Sequence, residues 1–318
     1  MNVFHKLKGA VSVSALMIGT SAAADVTALQ VWEIWQEDLE IYGVDGTSIG
    51  SQVETDDTVT VTDLTLSMSD DDASVTTRID AIVFTENGDG TVTVTMDESY
   101  PISIKGDGLS LGMTVRQSGM NIVVSGDEDN FVYDVTADSY GIEIDEVDGD
   151  ETDIKLITNN LTGSYETATQ DDGREINYNI AADTIDILVD IKPTDSEGYI
   201  VGGGKIDMFE MRTASFMPDG LDFEKPEEIF GSGFSFEGGY NFAGANYVFD
   251  VSDSDMNSTG TIQTGNGVLS AVVDGQKIAY SGNTKDFAMA MQVGELPFPI
   301  DISASEYGIN LTMPVAAS

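Results

Sequence analysis

After Gly46 the apolar residues of this chain recur with a period of two, and that feature excludes most folds. Thr58-Val59-Thr60-Val61-Thr62 alternates strictly, as a strand with one buried face must, because successive side chains point to opposite sides of a pleated backbone. Leu64, Leu66 and Met68 continue the alternation after a shift of one face. The pattern returns at Ile102/Ile104, Val132-Tyr133-Asp134-Val135, Ile142/Ile144, Ile154/Leu156, Ile185/Ile187/Val189/Ile191, Tyr247/Phe249/Val251 and Met289/Met291/Val293. Turn signals separate the runs. Asn87-Gly88-Asp89-Gly90 stands between Ile82-Val83-Phe84 and Val92-Thr93-Val94, which predicts a hairpin. Asp-Gly pairs begin at 107, 148, 172, 219 and 274, and an Asn-Gly pair at 266. The predicted class is all-β: an extended twisted antiparallel meander, or sandwich-like sheet units, with one dry face and one wet face.

One amphipathic helix precedes the strands. Thr27-x-x-Gln30 has capping-box spacing before an apolar run. Val31, Trp32, Trp35, Leu39 and Tyr42 fall on one side at helical spacing, and Glu33, Gln36, Glu37 and Glu40 on the other. Gly43 is the expected stop. Both tryptophans of the protein, Trp32 and Trp35, lie here. They either dock the helix onto the sheet or line a ligand site.

The N-terminus points to export. Lys6 and Lys8 form a positive region, Ala10 to Ile18 an apolar one, and Ala22-Ala23-Ala24 supplies small residues before Asp25. Residues 1–24 are expected to be a signal peptide cleaved near Ala24-Asp25, leaving a periplasmic or secreted protein. No later segment approaches the roughly 20 apolar residues of a transmembrane helix. No Cys follows the apolar region, which argues against a lipoprotein anchor.

The chain has 13 basic and 56 acidic residues, a formal charge of −43; loss of Lys6 and Lys8 with no acid takes the exported part to −45. Such a charge repels nucleic-acid phosphates and anionic head groups, so nucleic acid is excluded as a partner. It reads first as a solubility device in a salty surrounding. Disorder does not follow, because 41% of residues are apolar and spread throughout. With no Cys, stability must come from sheet pairing and apolar burial.

The chain echoes itself. Asn130-Phe131-Val132-Tyr133-Asp134-Val135-Thr136 matches Asn246-Tyr247-Val248-Phe249-Asp250-Val251-Ser252, with a fainter third copy at Asn177-Tyr178-Asn179-Ile180. Tyr100-Pro101-Ile102-Ser103-Ile104, with Gly108, Leu111 and Met113, resembles Phe298-Pro299-Ile300-Asp301-Ile302, with Gly308, Leu311 and Met313. Unequal intervals exclude a tight solenoid and favour duplicated sheet units. Residues 219–239 interrupt the alternation, with Pro226 opening a candidate helical turn before Gly231-Ser232-Gly233. The expected organisation is a helix and sheet unit over 25–218, a connector over 219–239, and a second sheet unit over 240–318 that can continue the first.

Taken in order, the N-terminal signal, Asp25-Val26-Thr27, Val31-Trp32-x-x-Trp35, Thr58-Val59-Thr60-Val61 and Asn87-Gly88-Asp89-Gly90-Thr91-Val92 resemble the alphaproteobacterial proteins grouped as domain of unknown function 2125. The resemblance covers mainly residues 1–115. It implies an exported, β-rich envelope protein of unassigned activity and supplies no catalytic residues. Members run longer, so the resemblance implies a shortened member, with any site in the absent half out of reach.

The chemistry available is narrow. The one histidine, His5, leaves with the signal, so the exported part has neither His nor Cys. Histidine bases, Ser-His-Asp triads, cysteine nucleophiles and His/Cys zinc sites are excluded together. Gly108-Leu109-Ser110-Leu111-Gly112 matches G-x-S-x-G, but Ser110 lies in an alternating stretch with no histidine, and reads as a wet-face strand residue. Gly202-Gly203-Gly204-Lys205 lacks the phosphate-loop spacing and reads as a bulge or tight bend. Asp70-Asp71-Asp72, Asp127-Glu128-Asp129-Asn130, and the group Asp145, Asp148, Asp150 and Asp153 with Glu146 and Glu151 are solvated acidic turns or, as the alternative, calcium ligands in loops. No other cofactor is indicated.

These readings converge on an exported cell-envelope protein without catalytic residues. Its one-sided sheet would bind an apolar ligand such as a lipid, or an envelope protein. The alternatives are an outer-membrane β-barrel and a hydrolase working with carboxylates alone.

Overall fold

The computed structural model describes residues 26–41, 46–69, 73–106, 108–127, 129–148, 150–193, 198–221, 229–253, 257–294 and 296–315. Residues 1–25, where a signal peptide is expected, and Tyr42, Gly43, Asp70 to Asp72, Asp107, Glu128, Gly149 and Pro226 lie outside the described residues.

Helix α1 spans Ala28–Ile41. Its start is the capping box read from the sequence: Gln30 N donates to Thr27 Oγ1 at 3.2 Å, and Thr27 N to Gln30 Oε1 at 2.9 Å. A second anchor comes from the sheet, where Glu86 Oε1 accepts from Ala28 N at 3.0 Å. Val31 and Trp32 are wholly buried, Trp35 half-buried, and Glu33 and Glu37 exposed. The apolar stripe therefore faces inward, as the 3.6-residue period requires.

The eighteen strands among the described residues belong to one antiparallel sheet. They are β1 (Gly46–Ser48), β2 (Ser51–Glu54), β3 (Thr58–Ser69), β4 (Ala73–Glu86), β5 (Val92–Met96), β6 (Ser99–Gly106), β7 (Leu109–Ser118), β8 (Asn121–Gly126) and β9 (Asn130–Val147). The series continues with β10 (Asp150–Gln170), β11 (Gly173–Ile191), β12 (Tyr199–Pro218), β13 (Ser235–Phe242), β14 (Gly244–Ser252), β15 (Asn257–Thr264), β16 (Gly267–Val273), β17 (Lys277–Val293) and β18 (Ile300–Pro314).

The pairing is simpler than the count. β5 with β6, β7 with β8, β13 with β14, and β15 with β16 are each two halves of one interrupted lane. From β3 to β18 the sheet is thus twelve lanes, each hydrogen-bonded to its neighbours in sequence. The short β1 and β2 flank β3 at one margin, and β18 forms the other. The predicted turns lie between the lanes. At 87–91, for example, Asn87 N donates to Thr91 O at 2.9 Å, with Gly88 and Gly90 at positive φ. β12 pairs with both β13 and β14, so the segments on either side of residues 219–239 are hydrogen-bonded in the same sheet.

A seam crosses the sheet at mid-lane. In β3 and β4, Asp63 and Asp80 fall between the pairs Thr62↔Ala81 and Leu64↔Ile79. Asp138 and Asn160 hold the equivalent place in β9 and β10, Asp183 and Met208 in β11 and β12, and Asp286 and Ser305 in β17 and β18. One residue of each pair has left-handed backbone: Asp63 (φ 53°), Asn160 (51°), Met208 (54°) and Asp286 (50°). Such a residue shifts the phase of the alternation by one. Val59 and Val61 therefore share a face with Leu64 and Leu66, which explains the shift seen in the sequence.

Backbone groups at the seam find partners. Ala81 N donates to Asp97 Oδ2 at 2.9 Å, Gln117 Nε2 to Asp97 O at 2.7 Å, and Asn160 Nδ2 to Asp183 Oδ2 at 2.8 Å. Arg78 bridges Asp63 and Asp80. Asp and Asn tolerate left-handed φ because their short polar side chains bond locally, whereas an unbranched apolar residue gains nothing there. Met208 is also 60% exposed, so little burial is lost by removing it. Met208→Gly should raise stability by about 1 kcal/mol, the relief of left-handed strain less the entropy of glycine. Urea unfolding would show it as a higher midpoint with unchanged slope.

The sequence echoes divide at this seam. Asn130–Thr136 lies in β9 on one side and Asn246–Ser252 in β14 on the other, yet both turn their odd-numbered aromatics to the dry face. Tyr100–Ile104 belongs to β6, which turns back into β7, whereas Ile300 to Met313 is one unbroken strand.

Candidate functional site

The dry face is continuous, but its cover is not. Along one line of directly paired residues lie Val124, Tyr133, Tyr165, Tyr178, Thr213, Gly238, Ala271, Tyr280 and Leu311. Val124 is 0% exposed and Tyr133 7%, whereas Tyr178 is 37%, Tyr280 43% and Leu311 46%. The buried end carries the core: Val59, Val61, Ile82, Phe84, Val92, Val94 and Phe131 close against Val31 and Trp32 of α1. Helix α1 lies on β3 and β4. On β11 Ile176, Ala182 and Ile185 are still buried; the lanes beyond present mostly half-buried apolar side chains, and β18 exposed ones.

Between the two ends a tyrosine ladder bridges three lanes. Tyr133 and Tyr165 have ring centroids 5.5 Å apart, and Tyr165 and Tyr178 4.8 Å. Cross-strand aromatic pairs of this kind fix register. On the far side of the seam Tyr100 is half-buried beside Tyr140. Burial first, and the Tyr140 hydroxyl second, push its phenol well above the usual range, so it stays neutral.

Dry-face glycines seat rings rather than bend the chain. The reading of Gly202-Gly203-Gly204 as a bulge or tight bend is corrected: β12 pairs without interruption there, with β11 on one side and β14 on the other. A Cβ on Gly204 would meet Asn246 O at 2.2 Å and the Tyr247 ring at 2.4 Å. One on Gly260 would meet the Phe249 ring at 2.6 Å. The missing side chains let Tyr247 and Phe249 lie flat across neighbouring lanes.

The acidic group at 145–153 is not a loop. β9 runs to Val147 and β10 begins at Asp150, so Asp145 and Asp153 stand on strands and only Asp148 marks the turn, at φ 54°. Asp145 Oδ2 accepts from Thr114 Oγ1 at 2.7 Å, Asp148 Oδ1 from Ser110 N at 2.7 Å, and Asp153 pairs with Lys155 at 2.9 Å. Asp127 Oδ1 closes its own turn by accepting from Asn130 and Asp129, and these hydrogen bonds hold its carboxyl below the ordinary range. Among the described residues no three His, Cys, Asp or Glu side chains gather as a metal site. Ser110 pairs with Lys105 on the wet face of β7.

Trp32 is packed rather than presented. It is 0% exposed, its ring centroid lies 5.7 Å from that of Phe84, and its Nε1 donates to Gln52 Oε1 at 3.0 Å. Trp35 sets its ring edge-on to Phe84 at 5.3 Å. The surface that sequence reasoning left unresolved is the open dry face from β11 to β18. Its signal was the slip of phase in each lane, as between Ala182 and Ile185 or Thr284 and Phe287. No family model, no curated protein and no solved structure matches this chain.

Proposed function

We propose that this is an exported cell-envelope protein without catalytic function that holds an apolar chain, such as the acyl tail of a lipid, against the open stretch of its dry face. The observation that carries this reading is the single line from Val124 to Leu311, apolar at both ends but covered at only one. Folded proteins seldom leave a contiguous apolar surface of this extent to water. From β11 to β18 the lanes span roughly 30 Å at about 4.8 Å each, enough for an extended acyl chain. The negative charge disfavours anionic head groups, so neutral and zwitterionic lipids are the expected ligands. The N-terminal signal features and the resemblance to an exported family support the compartment.

Delipidated protein incubated with an envelope lipid extract and re-purified should carry lipid detectable by mass spectrometry. Leu269→Glu with Tyr280→Glu, which place charge on the open stretch, should reduce the amount retained at least tenfold. Protein that returns without lipid would sink the carrier reading.

The sequential lane order also suits an outer-membrane barrel. Two observations weigh against that reading. Among the described residues β18 pairs with β17 alone, so the sheet is not closed. Helix α1 lies on the apolar face, where a barrel would meet lipid. Recovery in a soluble periplasmic wash, as against the outer-membrane fraction, separates the two. A carboxylate-only hydrolase would reveal itself by turnover on glycan or ester panels.

A further inference from the structure

We propose that two copies of this chain join through β18, strand against strand and antiparallel, about a two-fold axis normal to the sheet. This inference concerns the sheet edge and stands whether or not the dry face holds lipid.

The two margins of the sheet differ. At one, β1 and β2 are three and four residues long, a common way of blunting an edge. At the other, β18 is fifteen residues long and pairs with β17 alone among the described residues, leaving its outer backbone N–H and C=O groups unpaired. It carries no Lys or Arg and no internal proline; its prolines, Pro299 before it and Pro314 at its end, only bound it. Tyr307 is 62% exposed and Ile309 59%. A long apolar edge of this kind templates another strand.

The sequence of β18 fits its own copy in one register. The dry-face residues are Ile300, Ile302, Ala304, Tyr307, Ile309, Leu311 and Met313, with the phase slip at Ser305. Pairing Ile302 with Ile309 of the second copy also sets Ile300 opposite Leu311 and Ala304 opposite Tyr307. Each of these but Met313, which passes the end of the second copy's strand, then meets another dry-face residue, on both sides of the seam. Sliding by two residues in either direction spoils this, setting Ala304 opposite Ser305 or Tyr307 opposite Glu306. In the favoured register no acid faces an acid: Asp301 lies opposite Asn310, and Glu306 opposite Ser305. Because only one margin is open, the pairing closes as a dimer rather than propagating as a filament. The net negative charge of each copy opposes association, so the dimer should tighten as salt shortens the reach of that repulsion.

The test uses the purified, delipidated protein. Light scattering after gel filtration should show a dimer whose fraction rises between about 0.1 M and 1 M sodium chloride. Ile302→Lys with Ile309→Lys sets like charges opposite each other and should give a folded monomer. Ile302→Lys with Ile309→Glu sets opposite charges in the same places and should restore the dimer. The chain has no native Cys, so Ile302→Cys with Ile309→Cys gives a clean cross-link. The two positions are about 23 Å apart within one extended strand and cannot bridge internally. Mild oxidation should yield a covalent dimer. A monomer at every salt concentration overturns the proposal. So does a Lys/Glu variant that is folded by circular dichroism yet as monomeric as the Lys/Lys one.

Discussion

Trp32→Ala should cost about 3–5 kcal/mol of stability, the usual price of emptying a buried aromatic site. Trp32 is wholly buried where α1 packs on the sheet, against Phe84 and within the cluster that includes Val31, Val59 and Val61. With domain stabilities commonly about 5–15 kcal/mol, a loss of that size removes roughly a fifth or more of the total. Urea unfolding should show a lower midpoint, and exposure of the first lanes should appear as dye binding before global unfolding. Trp32→Phe keeps most of the packing and leaves Gln52, an exposed side chain, to water, so its cost should be about 1 kcal/mol beyond the volume change. Trp35→Ala should fall between the two, because Trp35 is only half-buried. If Trp32→Ala unfolds at the parent midpoint, α1 does not contribute to the core and the dry face is open along its full length.

The melting temperature should rise by about 5–10 °C between 0.1 M and 1 M sodium chloride. The cause is self-repulsion in a chain of 56 acidic and 13 basic residues. The seam concentrates it. Asp63, Asp80 and Asp97 fall on successive lanes, with Arg78 the cation bonded to the first two. Lanes lie about 4.8 Å apart, well inside the screening length of about 10 Å at 0.1 M and outside that of about 3 Å at 1 M. Calcium at matched ionic strength should add little to this. A calcium site would behave differently, with stabilisation saturating in calcium and far exceeding that from magnesium. In that case replacing Asp148, Asp150 and Asp153 together with Asn should abolish the excess. A melting temperature flat in both salts would leave the acidity as a solubility device alone.

Much of the sheet was legible in the sequence because strand pairing writes itself as a period of two. The hairpin at Asn87–Gly90 and the turns at the Asp-Gly pairs followed from residues that accept the backbone those turns need. The capping box at Thr27 and Gln30 fixed the start of α1 for the same local reason. Where reading failed, the deciding neighbour was distant in sequence. Three consecutive glycines resemble a bend until Tyr247 and Phe249 are known to lie beside them. Asp145, Asp148 and Asp153 resemble loop ligands until Thr114, Ser110 and Lys155 are seen to bond them, on two paired strands and the tight turn between.

The sequence by itself determined the all-β class, the capped helix α1, most of the turn positions and the exclusion of histidine and cysteine chemistry from residues 25–318. Each of these depends on residue type or on spacing within a few positions, which local sterics and side-chain direction fix. Only the tertiary structure decided that the lanes follow one another in a single open sheet, and that their phase slips align into one seam. It also decided that α1 covers the dry face over β3 and β4 and, among the described residues, leaves the β18 end bare. Those outcomes depend on which lane lies beside which, and the alternation of one strand carries no record of its neighbour.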